Sequence, residues 1–499
     1  MQVQFKKTAI RCLGTALQET KSTEVTQELR LPDGMPDIGR ILTTWGQVLI
    51  RSKEWRGNEI ILIGGVKAWT LYAPEDGTEP RSVESWLPFQ INWKAESVDR
   101  EGPVRMMPLL RFADSRSISS RKMIVRAGVA ALAQALYPKE TDVHAPEELS
   151  EDIQILRRTY PLRIPVESGE KTFLVDEELS LPDASAPVEK LLGMMVRPDI
   201  SEKRVLTDKV VFKGNVSIHL VCRNQEGRVE NMELSQPFSQ LSELDKTYGT
   251  DAQADIQMAV TSLEADLGEN GKVRFKCGLA AQYLVDDRMV LELVQDAYSP
   301  FRDVTAVENV LELPVILDDR TETVHAELTV PGQEGTGADV LFLPDFPRKE
   351  MRENGWELEL PGVFQTLIYG ENDSLQGFSA RWEGQQAFPA DENVNMLTIP
   401  QQAGNARSMM VSEGLNLTAP LRIQMMASRM QYIPMVTELE IGQLHDPDPS
   451  RPSLVICNCE ERALWELAKE HGSTVDAIKS ANGMSEDALC SGMLLIPVL

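Results

Sequence analysis

The residues of this 499-residue chain best equipped to hold a metal or attack a substrate are five histidines and six cysteines. His144, His219, His325, His445 and His471 are scattered along the chain. None stands at metal-ligand spacing from another, and a Ser-His-Asp constellation would have to assemble in space. His219 falls on the polar side of an alternating stretch and reads as a surface residue. Cys457 and Cys459, with Cys490, fall short of a zinc site, which usually spaces its cysteines by two to four residues and needs four ligands. These three, with Cys12, Cys222 and Cys277, are expected to be reduced and mostly buried thiols. Gly332, Gly335 and Gly337 resemble a phosphate loop in glycine density, but they lack its Gly-Lys-Ser/Thr ending and open no helix, so they read as a flexible loop. Asp and Glu number 76, yet no pair is placed as glycan cleavage requires. The expectation is therefore no catalytic residue, no metal, no cofactor and no enzyme.

The elements that would carry any site repeat along the chain. VTQELRLPDGMPDIGRIL at 25–42 matches LVDEELSLPDASAPVEKLL at 174–192. Leu31-Pro32-Asp33 and Leu181-Pro182-Asp183 are 181 − 31 = 150 positions apart. The same offset joins Gly64 to Gly214, Gly77 to Gly227 and Gly128 to Gly278, while Pro88-Phe89 and Pro237-Phe238 fall one residue short of it. Register kept over such a distance implies duplication of a whole domain. A third copy is read at Glu312-Leu313-Pro314, at 360–369 and at 410–414, with an insertion at about 331–355.

Val216, Ile218, Leu220 and Cys222 alternate with Ser217 and His219, and Val66, Ala68, Thr70 and Tyr72 occupy the equivalent places. A period of two marks a strand with one buried face. Gly77 and Gly227 then supply the reversal of a hairpin. GVAALAQAL at 128–136 has helical composition, but its copy follows VRFKC, so both are expected to be strands. Short helical turns are expected at 36–42 and 187–192, where proline suits a first turn.

The formal net charge is −26. Such a surface repels phosphate backbones and anionic lipid heads, so neither nucleic acid nor the membrane is an expected partner. The N-terminus lacks a secretory core and no run reaches about 18 apolar residues, so no membrane insertion and a cytoplasmic location are expected.

ELRLPDGMPDIGRIL, its copy EELSLPDASAPVEKLL and the glycine-led strands after them resemble the SPOCS domain of spore-coat assembly proteins. After a proline-rich linker, LVICNCEERALWELAKEHGSTVDAIKSANGMSEDALCSGMLLIPVL resembles a LysM module. There, 454–457 would be the first strand. Leu464, Trp465, Leu467 and Ala468 would be the buried face of one helix. Ser473 with Asp476 would cap a second. Trp465 suits either the core or the stacking of a sugar. Where the family carries Gly-Asp-Thr, this chain has Glu461-Arg462-Ala463, with Asn458 and Glu461 spaced to replace the missing cap.

The resemblance implies a mainly β fold of three tandem SPOCS-like β-sandwich-type domains plus a small βααβ LysM module. The boundaries are 1–150, 151–298 and a divergent third repeat at 299–444, then the linker at 445–452 and LysM at 453–499. It further implies a non-enzymatic scaffold of spore-coat assembly on the mother-cell side of the forespore surface. The scaffold would bind a protein partner, the morphogenetic ATPase of the coat basement layer, through its LysM module. The alternative is a protein binding peptidoglycan or chitin-type glycan through N-acetylglucosamine. For either ligand the candidate residues are Glu461, Arg462, Ala463, Asn482, Gly483 and Met484. From Ser453 onward, seven acidic against three basic residues give 3 − 7 = −4, which favours a protein over a neutral sugar.

Overall fold

A computed structural model describes residues 2–146, 149–182, 186–268, 271–353, 355–370, 373–389, 393–446, 450–485 and 490–499. Strand makes up 77% of the chain and helix 4%, so the fold is mainly β, as expected.

A short β1 (Gln2–Gln4) precedes a first unit of β2 (Lys6–Arg30), β3 (Ile38–Arg56), β4 (Glu59–Pro74), β5 (Arg81–Lys94), β6 (Val104–Ser119) and β7 (Lys122–Ala145). These strands make two antiparallel sheets, β2-β7-β6 and β3-β4-β5. Ile60, Leu62, Val66, Trp93, Val125 and Val129 fill the space between them. The second unit has β8 (Gln154–Ser180), β9 (Val188–Leu206), β10 (Lys209–Asn224), β11 (Val229–Glu243), β12 (Gln253–Leu267) and β13 (Lys272–Tyr298). Its sheets, β8-β13-β12 and β9-β10-β11, repeat the pattern. The starts of β9, β10 and β13 lie 150 residues after those of β3, β4 and β7.

The repeated glycines have physical causes. Gly64 and Gly214 each sit beside a register shift. A Cβ there would run into the carbonyl oxygens of Leu49 and Asp199, so no side chain fits. Gly77 and Gly227 turn their hairpins at φ +74° and +80°, the left-handed region glycine favours.

The third unit has β14 (Arg302–Pro331), β15 (Thr336–Pro344), β16 (Arg348–Arg352), β17 (Gly355–Tyr369), β18 (Leu375–Phe388), β19 (Asn395–Gln402), β20 (Arg407–Val411) and β21 (Gly414–Leu444). β15 and β16 flank β17 where β3 flanks β4, and β19 and β20 flank β21 where β6 flanks β7. The expected insertion at 331–355 is thus no insertion: it is the counterpart of β3, broken in two. Glu312-Leu313-Pro314 lies inside β14 rather than at a Leu-Pro start, and Val330-Pro331 ends that strand. Residues 410–414 form a hairpin tip, not the counterpart of 124–128.

The stretch 128–136 is strand, as expected. Its unbroken burial follows from the central place of β7, covered on both faces. The helical turns expected at 36–42 and 187–192 do not form; β3 starts at Ile38 and β9 at Val188, because paired edges there satisfy the backbone better than one isolated turn.

Each long strand pair, β2–β7, β8–β13 and β14–β21, carries a bulge at one equivalent place. Leu136 pairs with Thr15, Asp286 with Pro165 and Ser428 with Ile316, each at a register shift. Past the bulges the pairs continue as ribbons, two-stranded except where β1 joins β21. Three ribbons share a core of Ile10, Cys12, Ile164, Leu293, Leu311 and Ile433. A further cluster joins Phe5, Ile153, Val294, Val436 and Leu439. β1 pairs with β21, Gln2 opposite Glu440, so the start of the chain is stitched to the third unit.

A C-terminal unit follows: β22 (Leu454–Arg462), α1 (Leu464–His471), α2 (Val475–Asn482) and β23 (Cys490–Pro497). Its core is Leu464, Leu467, Ala468, Ile478, Leu494 and Ile496. Two capping expectations fail. Asn458 and Glu461 belong to β22, and the N-cap of α1 is Ala463, which makes no side-chain cap. Thr474, not Ser473, caps α2 by accepting the Ala477 N–H at 3.1 Å. In the linker, 447–449 lie outside the described residues.

Candidate functional site

Arg462 pairs with Cys490, so the entry to α1 and the return from α2 lie at one end of the β22–β23 ribbon. The six expected site residues have unequal freedom there. The Glu461 side chain lies outside the described residues. Arg462 is tied along α1, 2.5 Å from Glu470 and 3.8 Å from Glu466. Ala463 is the N-cap, and Gly483 is the left-handed end of α2. Met484 packs against the module core. Asn482 is structural: its Nδ2 donates to the carbonyls of Ile478 and Leu495 (2.8 and 2.6 Å), and its Oδ1 accepts from Leu495 N at 2.9 Å.

Trp465 faces neither the module core alone nor a sugar groove. Its ring meets Tyr298 edge-on at 4.8 Å. Its Nε1 donates to Asp296 at 2.9 Å, and Lys469 reaches the same carboxylate at 2.8 Å. The Tyr298 hydroxyl donates to the Ser473 carbonyl at 3.0 Å. These contacts latch the module to the end of β13. Trp465→Ala removes an edge-to-face pair and a charge-assisted hydrogen bond, together more than the 1.4 kcal/mol that equals a tenfold change. The expected result is proteolytic cleavage within 445–452 accelerated about tenfold, because cleavage follows the open population. An unchanged rate would show that the latch does not hold the module.

Sequence reasoning missed the polar groups buried where the three units meet. His219 is not at the surface but 1% exposed. Its Nδ1 lies 2.5 Å from Glu233 and its Nε2 2.7 Å from Asp339 in β15. Trp45 of β3 donates to the other Asp339 oxygen at 3.0 Å. One contact point thus takes a residue from each unit. Burial pushes the His219 pKa down, but the two carboxylates outweigh it and raise it to about 9. The ring is therefore charged and donates to both.

A second cluster pairs Arg105 of β6 with Asp255 of β12, each side chain 1% exposed. Gln424 donates to Asp255 at 2.7 Å. Gln282 clamps the Met106 backbone, accepting its N–H at 2.8 Å and donating to its C=O at 2.7 Å. Leu132, Gln282 and Gln424 each lie four residues before a bulge partner, so they are equivalent. Gln282 serves the first unit, Gln424 the second, and Leu132 packs with Leu397 and Ile399 of the third. The units close a ring. The one available sequence signal was that Arg105 and Asp255 are themselves 150 residues apart.

Cys12, Cys222 and Cys277 are buried, and burial raises their thiols to about 11, 12 and 12, far from the reactive range. Cys457 is half-buried; the side chains of Cys459 and Cys490 lie outside the described residues. Among the described residues no His, Cys, Asp or Glu group is arranged to hold a metal ion, and no helix is long and apolar enough to cross a membrane.

With this geometry in place, one comparison with known families becomes specific: residues 187–267 match the family model SipL, SPOCS domain. That stretch is similar to the SPOCS domain. It takes in the whole β9-β10-β11 sheet and β12, including His219 and Asp255. The first and third units repeat the strand order of this SPOCS stretch. Comparison with curated proteins and with solved structures gives no match.

Proposed function

We propose that this protein is a non-enzymatic scaffold of spore-envelope assembly. It would comprise three tandem SPOCS-like domains at 1–150, 151–298 and 299–444 and a LysM module at 453–499. The observation that carries the reading is the SPOCS match at 187–267, set in a unit whose architecture recurs three times. The C-terminal module has the βααβ order of LysM, and its partner in this reading is the morphogenetic ATPase of the coat basement layer. A protein partner is supported by the outer face of the β22–β23 ribbon. Cross-strand partners share a face, so Ile456 and Leu495, and Met493 beside Asn458, form one apolar stripe. Ile456 is 59% and Met493 69% exposed, which marks a surface suited to burial against another protein. Glycan binding has less support, since Asn482 is already committed to β23.

The test is a fluorescent fusion followed through growth and starvation. A ring at the developing forespore is expected; a uniform signal throughout would overturn the scaffold reading. Titration of the full chain with chitin oligomers is expected to give no saturable binding. Low-micromolar binding lost in Asn482→Ala, with the fold retained, would favour the wall-binding alternative.

A further inference from the structure

Where the three units meet, the ring holds a half-open cavity of about 540 Å³ lined by all of them. That volume is in the range of small-molecule sites. Its walls are mainly the edge strands β3, β9 and β15 of one set of sheets and β6, β12 and β19 of the other, with Asp319 and Arg320 of β14 and Arg422 and Gln424 of β21 completing the lining. Edge strands normally invite an added strand, but these are blocked. The N–H and C=O of Met106 point away from β7, toward Gln282. Two residues on, Pro108 faces the same way with no hydrogen to donate. On β9 the Val196 N–H goes to Gln47, and the Pro198 C=O accepts from Gln401. Pro344 ends β15 and Pro400 lies within β19, and neither has an N–H to donate. An extended peptide has little to pair with, and the remaining space is lined by side chains.

Those side chains divide by chemistry. Met107, Leu109, Met258, Leu343 and Ile399 give apolar surface. The lining carboxylates are committed, Asp199 to Arg422 and Asp319 to Arg163 at 3.6 Å. Arg197 donates to Asn405 at 3.0 Å. Arg320 makes no hydrogen bond among the described residues but is held by two ion pairs, to Asp318 and Glu322 at 3.7 and 3.5 Å, and lies over the Phe388 ring. Lys203 makes no hydrogen bond there either, and its one ion-pair partner Asp255, 3.9 Å away, is already held by Arg105. The cavity therefore offers an apolar body site beside one under-used cation.

We propose that this cavity binds a single-chain amphiphile with an anionic head, its chain against Met107, Leu109, Met258 and Ile399 and its head at Lys203. The chain's overall charge of −26 makes the outer surface a poor place for such an anion, so occupancy is confined to this cavity.

The test is calorimetric titration of the full-length protein with decanoate and with 1-decanol. One saturable site for decanoate is expected, with 1-decanol about tenfold weaker, the worth of one charge-assisted hydrogen bond. Lys203→Gln, at a solvent-accessible position, is expected to weaken decanoate by about the same factor and leave 1-decanol unchanged. Leu109→Trp fills the cavity and is expected to abolish both; Met258→Trp serves if that variant does not fold. Absence of saturable decanoate binding, equal binding of 1-decanol, or binding that survives a folded cavity-filling variant would each overturn the proposal.

Discussion

Arg105→Met lowers the unfolding free energy by about 3–5 kcal/mol, the cost of stranding one charge of a buried pair. Arg105 and Asp255 are each 1% exposed, and they join the first unit to the second. Burial alone would raise the Asp255 carboxyl, but Arg105, then Lys203 and Gln424, hold it down at about 2. A carboxyl depressed on folding stabilises above its unfolded value near 3.9, and the contribution disappears as pH falls through about 2. Without the guanidinium, Asp255 keeps only Lys203 and amide donors, so it takes up a proton or disrupts the junction. The double variant Arg105→Met with Asp255→Leu is expected to recover most of the loss, because an apolar replacement leaves no orphaned charge. Urea denaturation at pH 7, read by tryptophan fluorescence, measures both variants. A loss under about 1 kcal/mol for the single change would refute the assigned role.

His219 gives the second large effect, one that depends on pH. Its folded pKa, about 9, exceeds the unfolded value near 6.5. The proton is thus bound more tightly in the native state. Its stabilisation is complete below about pH 6.5 and is lost as pH rises through about 9, roughly 3 kcal/mol in all. His219→Gln cannot follow that curve. The difference in unfolding free energy between wild type and His219→Gln is expected to be largest at pH 6 and to shrink by pH 9.5. The groups around the ring are Glu233, Asp339, Trp45, Asn231, which donates to Asp339 at 3.2 Å, and Arg197, 3.7 Å from Glu233. Both proteins keep all of these, so subtraction isolates the imidazole. A constant difference across that range would rule out a charged His219.

Much of the first two units was legible in the residues. Alternation at Val216, Ile218 and Leu220 fixed a strand, and Gly64 with Gly214 fixed its register, because both depend on local geometry. The third unit was harder. Breaking one strand into β15 and β16 removes the long alternating run, so 331–355 reads as an insertion. Period two also shows which face of a strand is polar, but not whether another unit covers it. His219 failed for that reason: its polar face is roofed by β15, and the carboxylate that pairs with it lies 120 residues away. The module residues were legible as types, while their commitments were not. Asn482 looked available until β23 supplied its partners, and Trp465 fitted either core or sugar because the contact that decides it, Tyr298, belongs to another unit.

Arg105, Asp255 and Leu397 occupy one equivalent position: their cross-strand partners Gln134, Leu284 and Met426 each lie two residues before a bulge partner. Three separate copies of one unit, assembled as a cyclic trimer, would bring three identical side chains to this place. Three arginines or three aspartates there would repel one another in a dry interior. Carrying the units on a single polypeptide lifts the symmetry requirement. One position becomes a cation, its counterpart an anion and the third a hydrocarbon. Head-to-tail contacts that close after three subunits also leave no exposed interface for a fourth, so the ring is complete within one molecule.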